Sequence, residues 1–380
     1  PASDAGCHDH NDGGTAMTTG ERATDLGITI GDLPTGPLNA ITDVPGVRVG
    51  HQTLISGEGL HAVRTGVTII EPRADVWRSP VHAGSHRLNG CGELTGLAWI
   101  RENGALTTPI GLTNTHSLGL VRDAIIARLG RQRQPQEFYF YLPVVGETYD
   151  GFLNDINGQH VTGADVEAAF DALSDGPVAE GNVGGGTGMI CHEFKGGIGT
   201  ASRHIHVGED AYTVGVLVQA NHGARRHLRI DGVPVGRLLG TETIPGLSVA
   251  APPGTGSIIV IVATDAPLLP HQCERLAQRA ALGVGRVGGQ GEHTSGDLML
   301  AFSTGVHTLA PVDLTTPEPT RHSVETVSGD VMDALFTATI DATEESIVNA
   351  LLAASTMTGR IGLTAHRLDH GLLRDALARR

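Results

Sequence analysis

Apolar residues recur along this chain in short runs, which predict strands, and at three-to-four-residue spacings, which predict helices. The clearest strand is the β-branched run at residues 258–263, which is bounded by Pro and Gly and is expected to be buried on both faces. Ser257 carries the hydroxyl at its start, and we predict that it occupies the first strand position, at a sheet edge. Such a serine is either an ordinary strand start or a nucleophile held on a rigid element.

The remaining pattern mixes strands and helices. Residues 38–51 predict a hairpin or a strand pair around a Pro-Gly turn. Because strands cluster in both halves, with helices between them and at the end, mixed sheets covered by helices on their outer faces are the economical arrangement. Strands are predicted at residues 65–70, 110–116, 138–145, 202–206, 211–220 and 298–302, and helices at residues 93–103, 117–129, 162–173, 270–284 and 331–354.

Composition and charge narrow the classes of partner. A formal net charge of -15 gives a surface that repels nucleic acid and anionic membranes, so a small-molecule or peptide partner is favoured. No apolar run approaches the roughly 20 residues that a membrane span needs. The 53 glycines are about twice the usual share of ~7%, which predicts many tight turns and close backbone approaches.

The lysine and cysteine content argues against two classes of chemistry, catalysis by lysine and sites built from several cysteines. Lys195 is the only lysine, so lysine-dependent catalysis is excluded unless Lys195 itself carries it. A disulfide framework or a cysteine-based zinc site is not expected, and a reducing compartment fits better. This follows from the wide spacing of the four cysteines, Cys7, Cys91, Cys191 and Cys273.

The first 20 residues are polar and lack the apolar core of a signal peptide. We predict that residues 1–20 form a mobile tail and that residues 21–380 form a single domain. A cytoplasmic location is expected, or a periplasmic one if a leader was removed before Pro1.

Each of three segments that contain glycines or histidines has two possible interpretations. Residues 182–188 could cradle a phosphate, but they lack the ending of a P-loop, which favours a tight structural crossing. Residues 283–288 carry the letters of a dinucleotide fingerprint at the end of a helix, which favours a C-terminal turn. His204 and His206 share one strand face, and without a Glu or Cys at ligand spacing a solvated or stacked pair is favoured over a metal site.

A nucleophilic Ser257 needs a base. No lysine follows it in the chain, and no G-x-S-x-G elbow surrounds it. A free N-terminal amine, whose ordinary pKa is about 7.7 to 8.0, suits general-base work near neutral pH. Ser257 acquires such an amine only if the Gly256-Ser257 bond is cut, and the small residues at 252–256 suit an attack by its hydroxyl on the preceding carbonyl.

Two polar groups near strand ends are further candidates. Asn221 ends an apolar strand, where its amide could donate to a developing oxyanion or simply form a turn before Gly223. Ser295 and Asp297 stand at the entrance of the strand at residues 298–302, where a turn is the plain interpretation.

Several of these segments together resemble the L-aminopeptidase D-Ala-esterase/amidase family, which includes the β-peptidyl aminopeptidases. They extend over nearly the whole chain. The matching stretches are residues 38–44 (LNAITDV), 181–188 (GNVGGGTG), 218–221 (VQAN), 256–260 (GSIIV), 263–268 (ATDAPL) and 295–297 (SGD).

The resemblance implies a precursor that cuts itself between Gly256 and Ser257 into a larger subunit, residues 1–256, and a smaller one, residues 257–380. Ser257 then matches the N-terminal nucleophile, which forms an acyl-enzyme while its own amine moves protons. Asn221 matches the oxyanion-hole side chain.

Four further residues match the family's pattern. Ser295 and Asp297 fall where the family places residues that orient the nucleophile and its amine, although some members carry Glu at the latter position. Glu147 and Tyr149 match a Gly-Glu-x-Tyr segment, in which the carboxylate suits a substrate ammonium and the phenol suits the reacting centre. Without the resemblance, a Glu in an aromatic-flanked loop is usually just solvated.

The resemblance also implies an α/β fold with four layers, αββα, in which two stacked mixed sheets lie between helices. This fold is similar to that of N-terminal nucleophile hydrolases but has different connectivity. A homotetramer of processed heterodimers, with neither cofactor nor metal, is implied too. The expected function is an aminopeptidase that acts on short peptides, amides or esters. The alternatives are a self-processing acyltransferase resembling the ornithine acetyltransferases, which would have Thr in place of Ser257, and a non-catalytic glycine-rich binding protein.

Overall fold

A computed structural model describes residues 20–249, 254–307, 309, 321 and 323–379. The predicted tail, apart from Gly20, and residues 252–253 of the loop before Ser257 lie outside the described residues. The strands are β1 Arg48–Ser56, β2 Val63–Glu71, β3 Val81–Gly90, β4 Ala105–Leu106, β5 Ile110–Asn114, β6 Val144–Thr148, β7 Ile190–Cys191, β8 Phe194–Lys195, β9 Gly197–Val207, β10 Asp210–Gly223, β11 Gly254–Thr264, β12 Ser295–Ser303, β13 Met357–Thr358 and β14 Thr364–Ala365.

Two of the described sheets build the body of the molecule. One has four strands in the order β1-β2-β5-β6, and the other has six in the order β4-β3-β12-β11-β10-β9. Both are mixed, because β5 pairs with β6 and β11 pairs with β12 in parallel, whereas the neighbouring pairs are antiparallel. The helices are α1 Leu97–Asn103, α2 Leu118–Arg131, α3 Gly163–Asp171, α4 Val235–Leu238, α5 Pro270–Arg286, α6 Met332–Leu352 and α7 His370–Leu377.

The sheets stack face to face between two helical layers. Helices α2 and α3 pack on the outer face of the four-stranded sheet, and α5 and α6 pack on the outer face of the six-stranded sheet. A separate apolar core lies between the sheets, with Leu112 and Val144 from one and Ile261 and Leu300 from the other. The predicted four-layer αββα arrangement is therefore confirmed. Among the described helices, none combines the length and the apolar character that crossing a membrane requires.

The continuous apolar run of β11 follows from this layering. Ile258, Val260 and Val262 face the helical layer, while Ile259 and Ile261 face the core between the sheets. Both faces of the strand are buried, as the pattern predicted, because successive side chains point to opposite faces.

Several predicted boundaries were wrong. Strand β11 begins at Gly254, so Ser257 lies inside a paired strand and not at its first position. Residues 38–51 form a 3₁₀ turn at Ile41–Asp43 and then enter β1, and no hairpin forms within them. The aromatic segment at residues 138–143 is irregular, because its rings pack edge-on against Trp77 and Trp99 and the strand starts only at Val144.

The predicted close crossing at residues 182–188 is confirmed. A Cβ atom on Gly185 would lie 2.1 Å from Oε1 of Gln219 and 2.8 Å from the carbonyl oxygen of Leu112. Gln219 lies on β10 and Leu112 on β5, so the glycines pass between the two sheets where a side chain does not fit. Residues 283–288 end helix α5, in agreement with the C-terminal turn that was favoured for them.

A buried ion pair joins the six-stranded sheet to its helical layer. Arg203 on β9 donates to Oε2 of Glu345 on α6 at 2.6 Å, and both side chains are almost fully buried. The second carboxylate oxygen of Glu345 accepts from Nδ2 of Asn39 at 2.6 Å. The pair therefore fixes α6 against the sheet.

We expect Arg203→Met to lower the free energy of unfolding by about 3–5 kcal/mol, because Glu345 then stays buried without its counter-charge. Urea denaturation measures the change. The matched control is Arg122→Met, which breaks an exposed pair with Asp123 and is expected to cost no more than about 1 kcal/mol. Equal, small effects of the two substitutions would contradict the structural role of the buried pair.

Candidate active site

Ser257 lies in the middle of the six-stranded sheet. Its neighbours are Asn221 on β10 and Gly296 on β12. The position continues the alternation of Ile259 and Ile261, so its side chain points to the space between the sheets, and the residue is 5% exposed. The hydroxyl oxygen accepts a hydrogen bond from the backbone N–H of Gly296 at 3.0 Å. This bond orients a lone serine hydroxyl on rigid backbone.

The backbone before Ser257 is unusual. Gly256 has a φ of +149°, and a Cβ atom there would lie 1.8 Å from the carbonyl oxygen of Asn221. Asn221 pairs with Ser257 and Gly223 pairs with Gly254, so residues 255 and 256 together stand opposite one residue of β10, and β11 bulges directly before Ser257. The position therefore requires glycine, for both its conformation and the contact it makes.

The side chain of Asn221 is held from both ends of its amide. Its Oδ1 accepts from the N–H of Ile190 at 2.7 Å, and its Nδ2 donates to the carbonyl oxygen of Tyr149 at 3.0 Å. An amide nitrogen carries two N–H groups, and Tyr149 accepts only one of them. The second can donate to a group bound beside Ser257.

Glu147 is a buried carboxylate at the end of β6. Its Oε1 accepts from the N–H of Glu93 at 2.8 Å, and its Oε2 accepts from the hydroxyl of Thr115. Burial raises the pKa of Glu147, while these two donors act to lower it. The carboxylate is suited to pair with a cation that enters the site, and it is not merely solvated.

Ser295 and Asp297 flank Gly296 on β12. Ser295 donates to Asp297 at 2.5 Å, and both side chains are buried. Burial raises the pKa of Asp297 to about 6, against the effect of the Ser295 hydrogen bond, and the nearby charge of Glu292 raises it further. Asp297 pairs with Ile258, so its carboxyl lies on the helix-facing side of the sheet, beside the backbone of Ser257 and away from its hydroxyl.

A cavity of about 680 Å³ opens where these strands end. It brings together Ser257, Asn221, Glu147 and Tyr149, whereas Ser295 and Asp297 are not part of its lining. The ring of Tyr149 is partly exposed and packs edge-on against Phe152 at 5.7 Å. The cavity therefore offers a hydroxyl, an amide donor, a carboxylate and an aromatic wall to one ligand.

Other residues of the cavity were missed by the sequence analysis: Cys91, Glu93, Thr115, Phe152 and Thr294. For Thr115 a signal was present, since it lies at the end of a predicted strand, where the chain enters a polar turn. Strands β5 and β6 are parallel, and Asn114 pairs with Thr148, so their carboxyl ends meet at one edge. Cys91 and Glu93 follow β3, a strand that was not predicted.

Comparison with known proteins gives matches over almost the full chain. Residues 39–365 match the model of peptidase family S58. A β-peptidyl aminopeptidase of Sphingosinicella microcystinivorans is 48% identical over 96% of this chain and 93% of its own length.

Solved structures also match over almost the full chain. A Burkholderia sp. β-aminopeptidase is 53% identical, with a TM-score of 0.89 over 94% of this chain and 99% of that one. The L-aminopeptidase D-Ala-esterase/amidase of Ochrobactrum anthropi, described as a variant of the Ntn hydrolase fold, is 44% identical, with a TM-score of 0.85 over 94% and 98%. Together with the serine-centred cavity, these matches show that the chain belongs to peptidase family S58 and is an aminopeptidase of the serine type.

Proposed function

We propose that the chain matures by cutting its own Gly256-Ser257 bond and then releases N-terminal residues from short peptides, amides or esters through an acyl-enzyme on Ser257. The observation that carries this proposal is the position of Ser257. Its hydroxyl is oriented by Gly296 inside a sheet, and it opens onto a cavity that also contains the Asn221 amide and the Glu147 carboxylate.

Maturation proceeds by an acyl shift. The hydroxyl oxygen of Ser257 attacks the carbonyl carbon of Gly256, the C–N bond breaks, and the amide nitrogen leaves as the free amine of Ser257 after it takes up the hydroxyl proton. Water then hydrolyses the ester between Gly256 and Ser257. The tight contact between Gly256 and the carbonyl of Asn221 supports this step, because it holds the bond in one orientation.

Turnover uses the new amine as the base. It accepts the hydroxyl proton as the oxygen of Ser257 attacks the substrate carbonyl, and it returns the proton to the leaving amine or alcohol. The free N–H of Asn221 stabilises the oxyanion. Ser295 pairs with Gly256 and Asp297 pairs with Ile258, the two residues that flank Ser257, which suits them to orient the amine.

The substrate's amino group is assigned to Glu147. Its buried carboxylate is hydrogen bonded on both oxygens and lies in the same cavity as Ser257, so a substrate ammonium placed there leaves the adjacent carbonyl near the nucleophile. Tyr149 forms part of the wall, with its phenol suited to the reacting centre.

Family membership favours the peptidase over an acyltransferase or a non-catalytic binding protein. Short peptides and amides agree with the aminopeptidases that this chain matches. A homotetramer of processed heterodimers and a cytoplasmic location stay predictions; size-exclusion chromatography with light scattering tests the first.

Electrophoresis under denaturing conditions tests the maturation. The purified protein is expected to run as two fragments, with the smaller one beginning at Ser257 by N-terminal sequencing. It is also expected to hydrolyse amino-acid amides. One intact chain with activity would refute maturation at this bond, and two fragments with a different N-terminus would refute the assignment of Ser257.

We expect Asn221→Ala to lower kcat by a factor of about 100 or more, because one oxyanion donor is lost. The rate is divided by the amount of processed enzyme, which separates turnover from maturation. Asn182→Ala is the control, since Asn182 is bonded to the backbone of Ser355 away from the cavity. Near-normal turnover of the Asn221 variant would remove this residue from the oxyanion hole.

We expect Glu147→Gln to raise KM for substrates with a free amino group by about 10- to 100-fold, because a hydrogen bond to a charged group is lost. In the wild type, kcat/KM for these substrates falls as the pH drops through the raised pKa of Glu147, where the carboxylate becomes protonated. That limb of the pH profile disappears in the variant. An ester without an amino group serves as the control and should show neither effect; equal losses for both substrates would point to a structural role instead.

A further inference from the structure

A buried cluster of one thiol and two imidazoles lies on the helix-facing side of the six-stranded sheet. Cys191 is at the end of β7, His192 follows in the turn to β8, and His222 is on β10 between Asn221 and Gly223. All three are fully or almost fully buried. One potential ligand atom from each lies within 4.8 Å of the others.

The spacing of these atoms fits a metal ion. The Cys191 Sγ atom and the His222 Nδ1 atom are 3.8 Å apart. Tetrahedral zinc, with Zn–S of about 2.3 Å and Zn–N of about 2.0–2.1 Å, separates such a pair by about 3.6 Å. The thiol and the imidazole therefore need to move by only a few tenths of an ångström to share one ion.

Hydrogen bonding leaves one ring nitrogen of the second histidine available as a ligand. Nδ1 of His192 lies 3.2 Å from the carbonyl oxygen of Ala224, which can only accept, so Nδ1 carries the proton and Nε2 carries the lone pair. This Nε2 is buried and has no hydrogen-bond partner within the part of the chain that the structure describes. A metal-binding histidine characteristically donates its other N–H to a backbone carbonyl in this way.

Burial without a hydrogen-bond partner is costly for a polar atom. Nε2 of His222, like Nε2 of His192, is buried and has no such partner among the described residues. The two rings are 5.1 Å apart and nearly perpendicular, so neither satisfies the other. Gly223 and Gly289 leave room for the two rings. A Cβ atom at Gly223 would lie 2.3 Å from the ring of His192, and one at Gly289 would lie 3.0 Å from the ring of His222. An ion bound by Nδ1 of His222 gives the unpartnered Nε2 of His192 a partner.

We propose that Cys191, His192 and His222 bind one metal ion, Zn²⁺ or Cu⁺, in a structural site behind the catalytic strand. Thiolate and imidazole ligands favour both ions. On binding, the thiol of Cys191 releases its proton to solvent and its sulfur forms the bond to the metal. This proposal departs from the expectation of no metal, which rested on the wide spacing of the cysteines and on the family resemblance; here the ligands come from two segments about 30 residues apart.

The site acts on the geometry of maturation. His222 lies opposite the bulge that residues 255 and 256 form on β11, and its carbonyl oxygen accepts from the N–H of His192 at 2.6 Å. The neighbouring N–H of Ile190 holds the Asn221 amide. An ion that joins the β7–β8 turn to β10 therefore fixes both the bulge and the candidate oxyanion donor.

To test this, the full-length protein is produced in three separate cultures, one supplied with Zn²⁺, one with copper and one with Co²⁺. The purified protein is then dialysed and its metal content is measured by elemental analysis. We expect about one Zn or Cu per chain, or about one Co with thiolate-to-cobalt charge-transfer absorption. In a further culture supplied with all three metals together, the metal that the protein retains shows whether the site prefers Zn²⁺ or Cu⁺. Cys191→Ser and His222→Gln are expected to retain less than about a tenth of the wild-type metal, while His204→Gln, which changes a histidine outside the cluster, retains it all.

The cobalt spectrum keeps the test decisive if a variant does not fold, because it reports a cysteine ligand in the wild type itself. Adding Zn²⁺ to metal-free wild type at about a hundredfold excess over Kd should also raise Tm by about 3 °C. Folded protein without metal from all three cultures would overturn the proposal, and so would equal metal content in the wild type and Cys191→Ser, which would show adventitious binding elsewhere.

Discussion

Ser257→Ala is expected to leave the chain uncut and to lower amidase activity by about 10⁴-fold or more, since the nucleophile and the source of the free amine are both lost. A buried serine that only pairs strands would tolerate this change, because alanine keeps the backbone ladder with Asn221 and Gly296. The large effect therefore distinguishes a chemical role from a structural one. Denaturing electrophoresis and a fluorogenic amino-acid amide measure the two losses.

The matched variant is Ser257→Cys, which keeps a nucleophile of similar size at the same position. It is expected to restore cutting at least in part, and the smaller fragment should then begin with the introduced cysteine. Normal processing of Ser257→Ala would refute the maturation mechanism outright. An uncut but fully active Ser257→Ala would refute the role of Ser257 both as the nucleophile and as the source of the amine.

Gly256→Ala is expected to slow maturation by about 100-fold or more, because an added Cβ atom would lie 1.8 Å from the carbonyl oxygen of Asn221. Strand β11 must move away from β10 to relieve this contact, and the hydroxyl of Ser257 then loses its alignment with the bond. Overpacking of this kind also lowers the free energy of unfolding of the uncut chain, by about 1–3 kcal/mol. The uncut fraction after a fixed time, followed by electrophoresis, gives the rate.

Gly285→Ala is the control for Gly256→Ala. Gly285 lies in helix α5, and nothing stands within 4 Å of the position that its Cβ atom would take. We expect normal maturation and equal or greater stability for that variant. If Gly256→Ala matured at the rate of Gly285→Ala, the contact with Asn221 would have no part in holding the scissile bond.

Mixed sheets covered by helices were predictable from the sequence, because burial leaves a local pattern in the chain, whereas the four-layer arrangement was implied by the family resemblance. The continuous apolar run of β11 and the apolar stripe of α2, which includes Val121 and Ile125, are local patterns that need no knowledge of the partner. The strand predicted at residues 138–143 was wrong because the packing of this segment depends on residues elsewhere in the chain. Its composition is typical of a strand, but its rings pack on two tryptophans and not on a sheet neighbour.

The site was only partly predictable. Ser257 and Asn221 carry side chains whose chemistry is visible in the sequence, and the resemblance added Glu147 and Tyr149. The N–H of Gly296 is backbone, which any residue offers, so its bond to the hydroxyl of Ser257 depends on the parallel pairing of β11 with β12. The starting point of β11 was missed because Gly254 and Gly256 have low strand propensity, and it is pairing with β10 that extends the strand across them.

The strand order of the six-stranded sheet determines how the mature enzyme comes apart. The proposed cut lies inside β11, and residues 257–264 of β11, together with β12, lie between β3 and β10, which precede the cut. Cutting removes none of these ladders, but it turns the unfolding of one chain into the dissociation of two. The mature protein should therefore show a melting temperature that rises with protein concentration. Refolding of its separated fragments becomes a bimolecular reaction, which the uncut precursor never has to perform.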